Sequence, residues 1–97
     1  MRVVWTDPAD EDREQIILFI AQDNEQAALE MDDLFTAAAD SLATFPTRAK
    51  TGRIVGTREL VVHRNCILVY GIDGDADTVY IQAVLHTSRL WPPEDAE

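Results

Sequence analysis

The sequence predicts one α+β domain in the order β-α-α-β-β-β, with a helical hairpin packed on a small, mostly antiparallel sheet. Residues 8 to 45 repeat apolar side chains at helical spacing, whereas residues 53 to 86 carry β-branched and aromatic runs separated by turn compositions. A chain of 97 residues is long enough for only one core. We therefore expect a single domain over residues 1–97, in which residues 92–97 form a flexible tail.

The first half predicts a short strand followed by two helices. Val3 to Trp5 is apolar, Asp7 suits a helix N-cap, and Pro8 suits the first helical position. The first helix is predicted over residues 8 to 22, and the second runs from 24 until Pro46 ends it. One face of the second helix is apolar and carries Ala27, Met31, Leu34, Phe35, Ala38, Leu42 and Phe45.

The second half predicts strands joined by short turns. Strands are expected near residues 53–55, 59–62, 67–72 and 78–86, and sequential strands with short joins usually pair antiparallel. The first strand is expected to join the same sheet. The residues predicted to be largely buried are Ile17, Ile20, Leu34, Phe35, Leu42, Leu68, Tyr70 and Ile81.

Charge is unevenly distributed along the chain. The net charge is −10, and residues 1–45 contain eleven acidic side chains against two arginines. Residues 46–72 reverse this balance, with five basic side chains against one acidic side chain. The basic segment favours a local anion-binding surface, although the overall field repels nucleic acid at long range. The alternative, that these basic residues only balance the acidic helices, stays open.

Several classes of function are excluded by composition. No apolar stretch approaches the length that spans a bilayer, and the first residues lack a signal core, so we expect a cytoplasmic protein without membrane association. Cys66 is the only cysteine, and beside it stand only His63 and His86. That set has no recognised metal-ligand spacing, so we predict no metal site and no cofactor.

Several segments, in order, are similar to one known family. They are residues 56–62, 68–70 and 84–92 in the second half, and Trp5, Asp7-Pro8, residues 20–24 and Phe45-Pro46 in the first. Because these segments occur in this order and spacing, the chain resembles the RelE/ParE superfamily toxins of type II toxin–antitoxin systems. The resemblance implies a compact toxin wrapped by a cognate antitoxin, as a homodimer or a toxin–antitoxin hetero-oligomer. It also implies a target, either DNA gyrase, which is poisoned, or the ribosome, on which mRNA is cut.

The choice between these targets depends on the residues that cleave RNA. In the ribosome-dependent branch, basic groups stabilise the phosphate attacked by a 2′-hydroxyl. The positions of its paired lysines correspond here to Glu59 and Val61, and that of an arginine to Ile67; only Arg89 matches. The sequence therefore favours a ParE-like toxin that poisons gyrase. The alternatives are a RelE-like endoribonuclease and an inactive relative that serves as an antitoxin-binding module.

The candidate site residues lie near the ends of the predicted strands. His86 and Arg89 are the candidate catalytic residues, since histidine exchanges a proton near neutral pH and arginine binds phosphate or carboxylate. Arg58, Arg64, Arg89 and Trp91 are the candidate target-binding residues. An alternative stays open in which His86 hydrogen-bonds a loop carbonyl and Arg89 pairs with an acid of the first helix. We expect Cys66 to be a small buried apolar residue.

Overall fold

A computed structural model of the chain describes residues 1–86. Its elements are β1 (Arg2–Trp5), α1 (Asp7–Asp23), α2 (Glu25–Thr44), β2 (Lys50–Thr51), β3 (Arg58–His63), β4 (Cys66–Asp73) and β5 (Thr78–His86). This order confirms the predicted α+β class. Arg89, Trp91 and the predicted tail at 92–97 lie outside the described residues.

The five strands form one mixed sheet in the order β1-β5-β4-β3-β2. β1 lies parallel to β5, with Trp5 opposite Ile81, and the other neighbouring strands are antiparallel. The prediction that the first strand joins the sheet is therefore confirmed. Val69 pairs with Ala83 and Tyr70 with Ile81, which leaves Gln82 as a bulge residue in β5.

Asn24 joins the two helices and serves both as the C-cap of α1 and as the N-cap of α2. The amide of Asn24 donates to the carbonyl of Ile20 at 2.9 Å, and its side chain accepts from the amide of Ala27 at 3.0 Å. At the start of α1 the N-cap is Thr6, one residue before the predicted Asp7. Its Oγ1 accepts from the amide of Ala9 at 3.4 Å, while Asp7 is already helical. Both residue types suit this position, and the backbone of Thr6 is the one that is extended.

Arg13 fastens the two helices to each other and to β1. Its Nε donates to the carboxylate of Asp32 at 2.8 Å, and its Nη2 donates to the hydroxyl of Thr36 at 2.7 Å. The guanidinium carbon lies 4.6 Å from the ring centre of Trp5 and 5.7 Å from that of Phe35. A planar cation between two aromatic rings combines ion pairing with cation–π attraction, so this arginine stabilises the hairpin.

The core between hairpin and sheet contains most of the residues that the sequence predicts. Five of the predicted core residues are fully buried, namely Phe35, Leu42, Leu68, Tyr70 and Ile81. Ile17 and Ile20 are only partly buried against this core. The prediction for Leu34 was wrong, because it is 41% exposed and lies beside a hollow near the β3–β4 turn. Phe45, which the helical period also placed on the apolar face, is 62% exposed where α2 ends.

The predicted strand at residues 53–55 is absent, and a loop occupies those positions. The strand that precedes β3 is instead the two-residue β2, whose Thr51 pairs with Arg58. The chain then turns back because the amide of Gly52 donates to the carbonyl of Thr57 at 2.7 Å, and Gly56 adopts a positive φ of 86°. Local hydrogen bonds therefore override the β-propensity of Ile54 and Val55.

Candidate functional site

The predicted basic residues do not converge on one site. Arg58 begins β3 opposite Tyr70, whereas Arg64 lies in the turn that ends the same strand. His86 is at the Arg64 end of the sheet, opposite Cys66. Tyr70, which lies opposite Arg58, and Cys66, which lies opposite His86, are four positions apart on β4. Four positions correspond to about 13 Å along a strand. Within the described residues, Arg58 therefore cannot act together with His86 on one phosphate.

Arg58 contributes to the base of the hairpin. Its Nη1 donates to the carbonyl of Ala49 at 2.7 Å, and the neighbouring Tyr70 hydroxyl donates to the carbonyl of Pro46 at 2.7 Å. Burial raises the pKa of the Tyr70 hydroxyl, and the charges of Arg58 and Arg48 partly oppose this rise. These contacts connect the segment after α2 to the sheet, so Arg58 has a structural role in addition to its exposed charge.

His86 lines a hollow of about 260 Å³ between the hairpin and the β3–β4 turn. The hollow is lined by Ile20, Ala27, Glu30, Met31, Leu34, His63, Asn65, Cys66 and His86. Cys66 is buried, and burial raises the pKa of its thiol, so it is not an activated nucleophile. Residues 1–86 contain no group of three His, Cys, Asp or Glu side chains that could hold a metal ion. The hollow combines an apolar wall from the helices with a polar rim, which suits a peptide side chain.

The side of the sheet that faces away from the helices is called the open face below. It carries Glu59, Val61, Ile67, Val69, Gly71, Ala83 and Leu85, because side chains alternate along each strand and Leu60, Leu68 and Tyr70 belong to the core. These residues are apolar except for the carboxylate of Glu59. Tyr80, which lies opposite Gly71, and the bulge residue Gln82, whose amide would meet a Cβ added at Gly71, place further polar groups on the same face. Val61 is exposed, whereas Glu59, Val69 and Ala83 are buried. None of the residues of β3, β4 and β5 on this face is a lysine or arginine, so these strands lack the cations that phosphate chemistry requires.

Sequence reasoning missed the arrangement of Glu59. This side chain is 3% exposed, its Oε2 accepts from the amide of Arg53 at 2.8 Å, and its Oε1 lies 3.5 Å from Nε of Arg53. It therefore holds the loop between β2 and β3. The only signal for this in the sequence was the pair Gly52 and Gly56 bracketing two β-branched residues, since such glycines mark a turn.

Comparison with known proteins supports the class that this fold indicates, a small α+β toxin. Residues 3–91 match the family described as the ParE toxin of the type II toxin–antitoxin system parDE. A protein of Sinorhizobium fredii, named "Putative toxin Y4kP", is 34% identical over 92 residues, which are 94% of this chain and 93% of that protein. The chain belongs to the ParE toxin family of type II toxin–antitoxin systems.

Solved structures show the same fold at low sequence identity. The chromosomal ParDE system of P. aeruginosa aligns over 89% of this chain and 95% of that chain, with a TM-score of 0.75 and 17% identity. The RelBE2 toxin–antitoxin complex of Mycobacterium tuberculosis aligns over 88% and 95%, with a TM-score of 0.60 and 24% identity. A metal-bound toxin of Helicobacter pylori aligns over 91% and 96%, with a TM-score of 0.62 and 17% identity.

Proposed function

We propose that this toxin arrests growth by binding DNA gyrase and cleaves no bond itself. The observation that supports the proposal most strongly is that the open-face residues of β3, β4 and β5 include no lysine or arginine that could hold a phosphate. Cleaving RNA requires positioned groups that hold the phosphate and stabilise its developing charge. Binding a protein requires apolar contact area and charge complementarity, which this chain provides.

The separation of the basic residues supports binding for a second reason. A ribonuclease built from His86 and Arg89 would need further cations close to the phosphate. Arg58 stands at the opposite end of the sheet from His86 and is bonded to the carbonyl of Ala49. The charges are distributed along the sheet instead of being focused, as expected of an interaction surface. Since gyrase and the ribosome are both cytoplasmic, we place the toxin in the cytoplasm.

The cognate antitoxin is proposed to occupy the hollow beside His86 and the neighbouring edge of β3. Within residues 1–86, β2 pairs only with Arg58 and Glu59, so the edge of β3 from Leu60 to His63 has no neighbouring strand. An extended segment could add a strand there, while an amphipathic helix fills the hollow with apolar side chains. Because the hairpin is acidic, the antitoxin segment should carry basic residues on both sides of its apolar contacts. The complex is then a toxin–antitoxin hetero-oligomer.

Expression of the chain with and without the adjacent gene product tests the proposal. The chain alone should stop growth, the partner should co-purify and restore growth, and mapped mRNA should show no new cleavage ends. Higher salt should weaken assembly with the partner mainly by slowing association, because exposed charges steer the encounter. New mRNA ends that depend on His86 would favour the endoribonuclease, and a folded chain that leaves growth unaffected would favour an inactive antitoxin-binding relative.

The described part of the chain contains no helix that is long and apolar enough to cross a membrane.

A further inference from the structure

The loop at residues 52–57 presents an apolar tip at one end of the sheet. Val55 is 99% exposed and Ile54 is 37% exposed. They border a hollow of about 530 Å³ lined by Thr51, Gly52, Ile54, Val55, Gly56, Thr57, Arg58 and Ile72. Together with Ile72 across the hollow, Ile54 and Val55 form a small apolar patch and not an isolated exposed side chain.

The loop is held in one conformation by several hydrogen bonds. The hydroxyl of Thr57 donates to the carbonyl of Ile54 at 2.7 Å, and the amide of Thr57 donates to the same carbonyl at 3.1 Å. A Cβ added at Gly52 would lie 2.3 Å from the hydroxyl of Thr57, so the two loop ends approach as closely as backbone allows. An apolar tip on such a loop is already ordered before it meets a partner, which lowers the entropy cost of binding.

The buried carboxylate of Glu59 is the strongest sign that the loop has a function. Burying a charge is unfavourable unless it is paired and hydrogen-bonded, and an apolar residue next to Val69 would avoid that cost. The carboxylate instead contacts both the amide and the guanidinium of Arg53, at the base of the tip. The chain thus uses a costly group to fix the position of Ile54 and Val55, as sites that bind partners often do.

The surroundings of the tip are basic in an otherwise acidic protein. Three basic residues lie in or beside the loop: Arg53 belongs to it, Lys50 pairs with Glu59 across β2 and β3, and Arg58 lines the hollow. The guanidinium side chain of Arg53 is 54% exposed beside the tip. A partner with basic flanks, such as the antitoxin proposed for the acidic hairpin, would be repelled here. The complementary partner is a protein surface with an apolar pocket and a rim of carboxylates.

We propose that the toxin binds its target through the loop at residues 52–57. Val55 inserts into an apolar pocket of that protein, and carboxylates surround the pocket. The inference rests on the proposed function, in which the target is a protein that is bound and not cleaved. It assigns the contact to the loop, at the opposite end of the sheet from His86. Arg53 and Lys50 pair with the carboxylates around that pocket.

The test compares Val55→Asp with Leu29→Asp in the full-length chain. Both substitutions replace an exposed apolar side chain by a carboxylate, since Leu29 is 62% exposed on α2 and lies outside the open face, the β3 edge and the hollow beside His86. Val55→Asp should raise the concentration of toxin needed for half-maximal inhibition of purified gyrase by at least about tenfold, as expected for a central contact. Leu29→Asp should change it less than about threefold. Both proteins should melt like the wild type, and Val55→Asp should still co-purify with the adjacent gene product.

Growth arrest separates a failure of this inference from a failure of the gyrase proposal. If the wild type arrests growth without inhibiting gyrase, gyrase is not the target. The role of the loop in binding the target is then tested by the inducer level that each variant needs to stop growth. Equal potency of Val55→Asp, Leu29→Asp and wild type in growth arrest overturns the loop assignment. Loss of antitoxin binding by Val55→Asp alone overturns it too, as does Val55-dependent self-association or binding to plasmid DNA without gyrase. Val55→Ser, which adds no charge, should show the same ranking with a smaller effect.

Discussion

The carboxylate of Glu59 fixes the backbone of Arg53, with Oε2 accepting from its amide at 2.8 Å while Oε1 lies 3.5 Å from its Nε. The two residues are six positions apart and close the loop between β2 and β3. In the sequence they resemble an ordinary surface ion pair of opposite charges. In the structure one partner is buried, so the contact determines where the tip of the loop lies.

Substitution of Glu59 should therefore loosen the loop before it unfolds the domain. Glu59→Ala leaves the amide of Arg53 without its acceptor and should lower the free energy of unfolding by about 1 to 3 kcal/mol. Glu59→Gln can still accept that hydrogen bond and should cost less. Hydrogen exchange measured by mass spectrometry should become faster at residues 52–57 in Glu59→Ala and change much less in Glu59→Gln. Unchanged exchange in both variants would show that the carboxylate does not hold the loop.

The neighbouring residues Leu34 and Phe35 should differ sharply in their contribution to stability. Phe35 is fully buried between α2 and the sheet, so Phe35→Ala should cost about 3 to 5 kcal/mol through lost burial and a cavity. Leu34 is 41% exposed, so Leu34→Ala should cost less than about 1.5 kcal/mol. Urea unfolding of the two variants checks this. A larger loss for Leu34→Ala would mean that the face of α2 is misassigned.

Tyr70 should make the protein less stable at alkaline pH. Burial raises the pKa of its hydroxyl above the ordinary tyrosine value of 10.0, so the folded state holds this proton more tightly than the unfolded state. The resulting stability is complete below pH 10.0 and is lost as pH rises from there through the folded-state pKa. Tyr70→Phe removes this contribution and the hydrogen bond to Pro46.

Unfolding in urea at neutral pH and above pH 10.0 separates the effect of the raised Tyr70 pKa from that of the hydrogen bond to Pro46. At neutral pH, Tyr70→Phe should be less stable by about 0.5 to 1.5 kcal/mol, the usual contribution of one hydrogen bond. At the higher pH the gap between wild type and variant should narrow. A gap that widens with pH would show that the ionised form is the one favoured by the fold.

Arg89 and His86 should contribute differently to toxicity. Arg89, which the sequence predicts to be a target-binding residue by its resemblance to an arginine of the ribosome-dependent branch, lies outside the described residues. Arg89→Ala is expected to abolish growth arrest while antitoxin binding stays nearly intact. His86→Ala should leave growth arrest largely unchanged, because a binding mechanism needs no proton carrier. Expression of each variant with matched protein levels checks this, and arrest that depends on His86 would favour RNA cleavage.

The sequence predicted the hairpin, the joining of the first strand to the sheet and most of the core, because strong periodicity and capping residues determine these features. It failed at residues 53–55, where β-branched residues suggested a strand, because the hydrogen bonds of Thr57 and Glu59 hold this segment in a turn. It also grouped Arg58 with Arg64 and His86, since all three lie at strand ends. Which end of the sheet each residue occupies depends on strand register, which a single sequence does not determine.

Supercoiling of relaxed plasmid by purified gyrase in the presence of the purified toxin tests the gyrase proposal directly. We expect inhibition that rises with toxin concentration, is reversed by the co-purifying antitoxin and leaves added RNA intact. Normal supercoiling at toxin concentrations in excess of gyrase, together with growth arrest in cells, would contradict it.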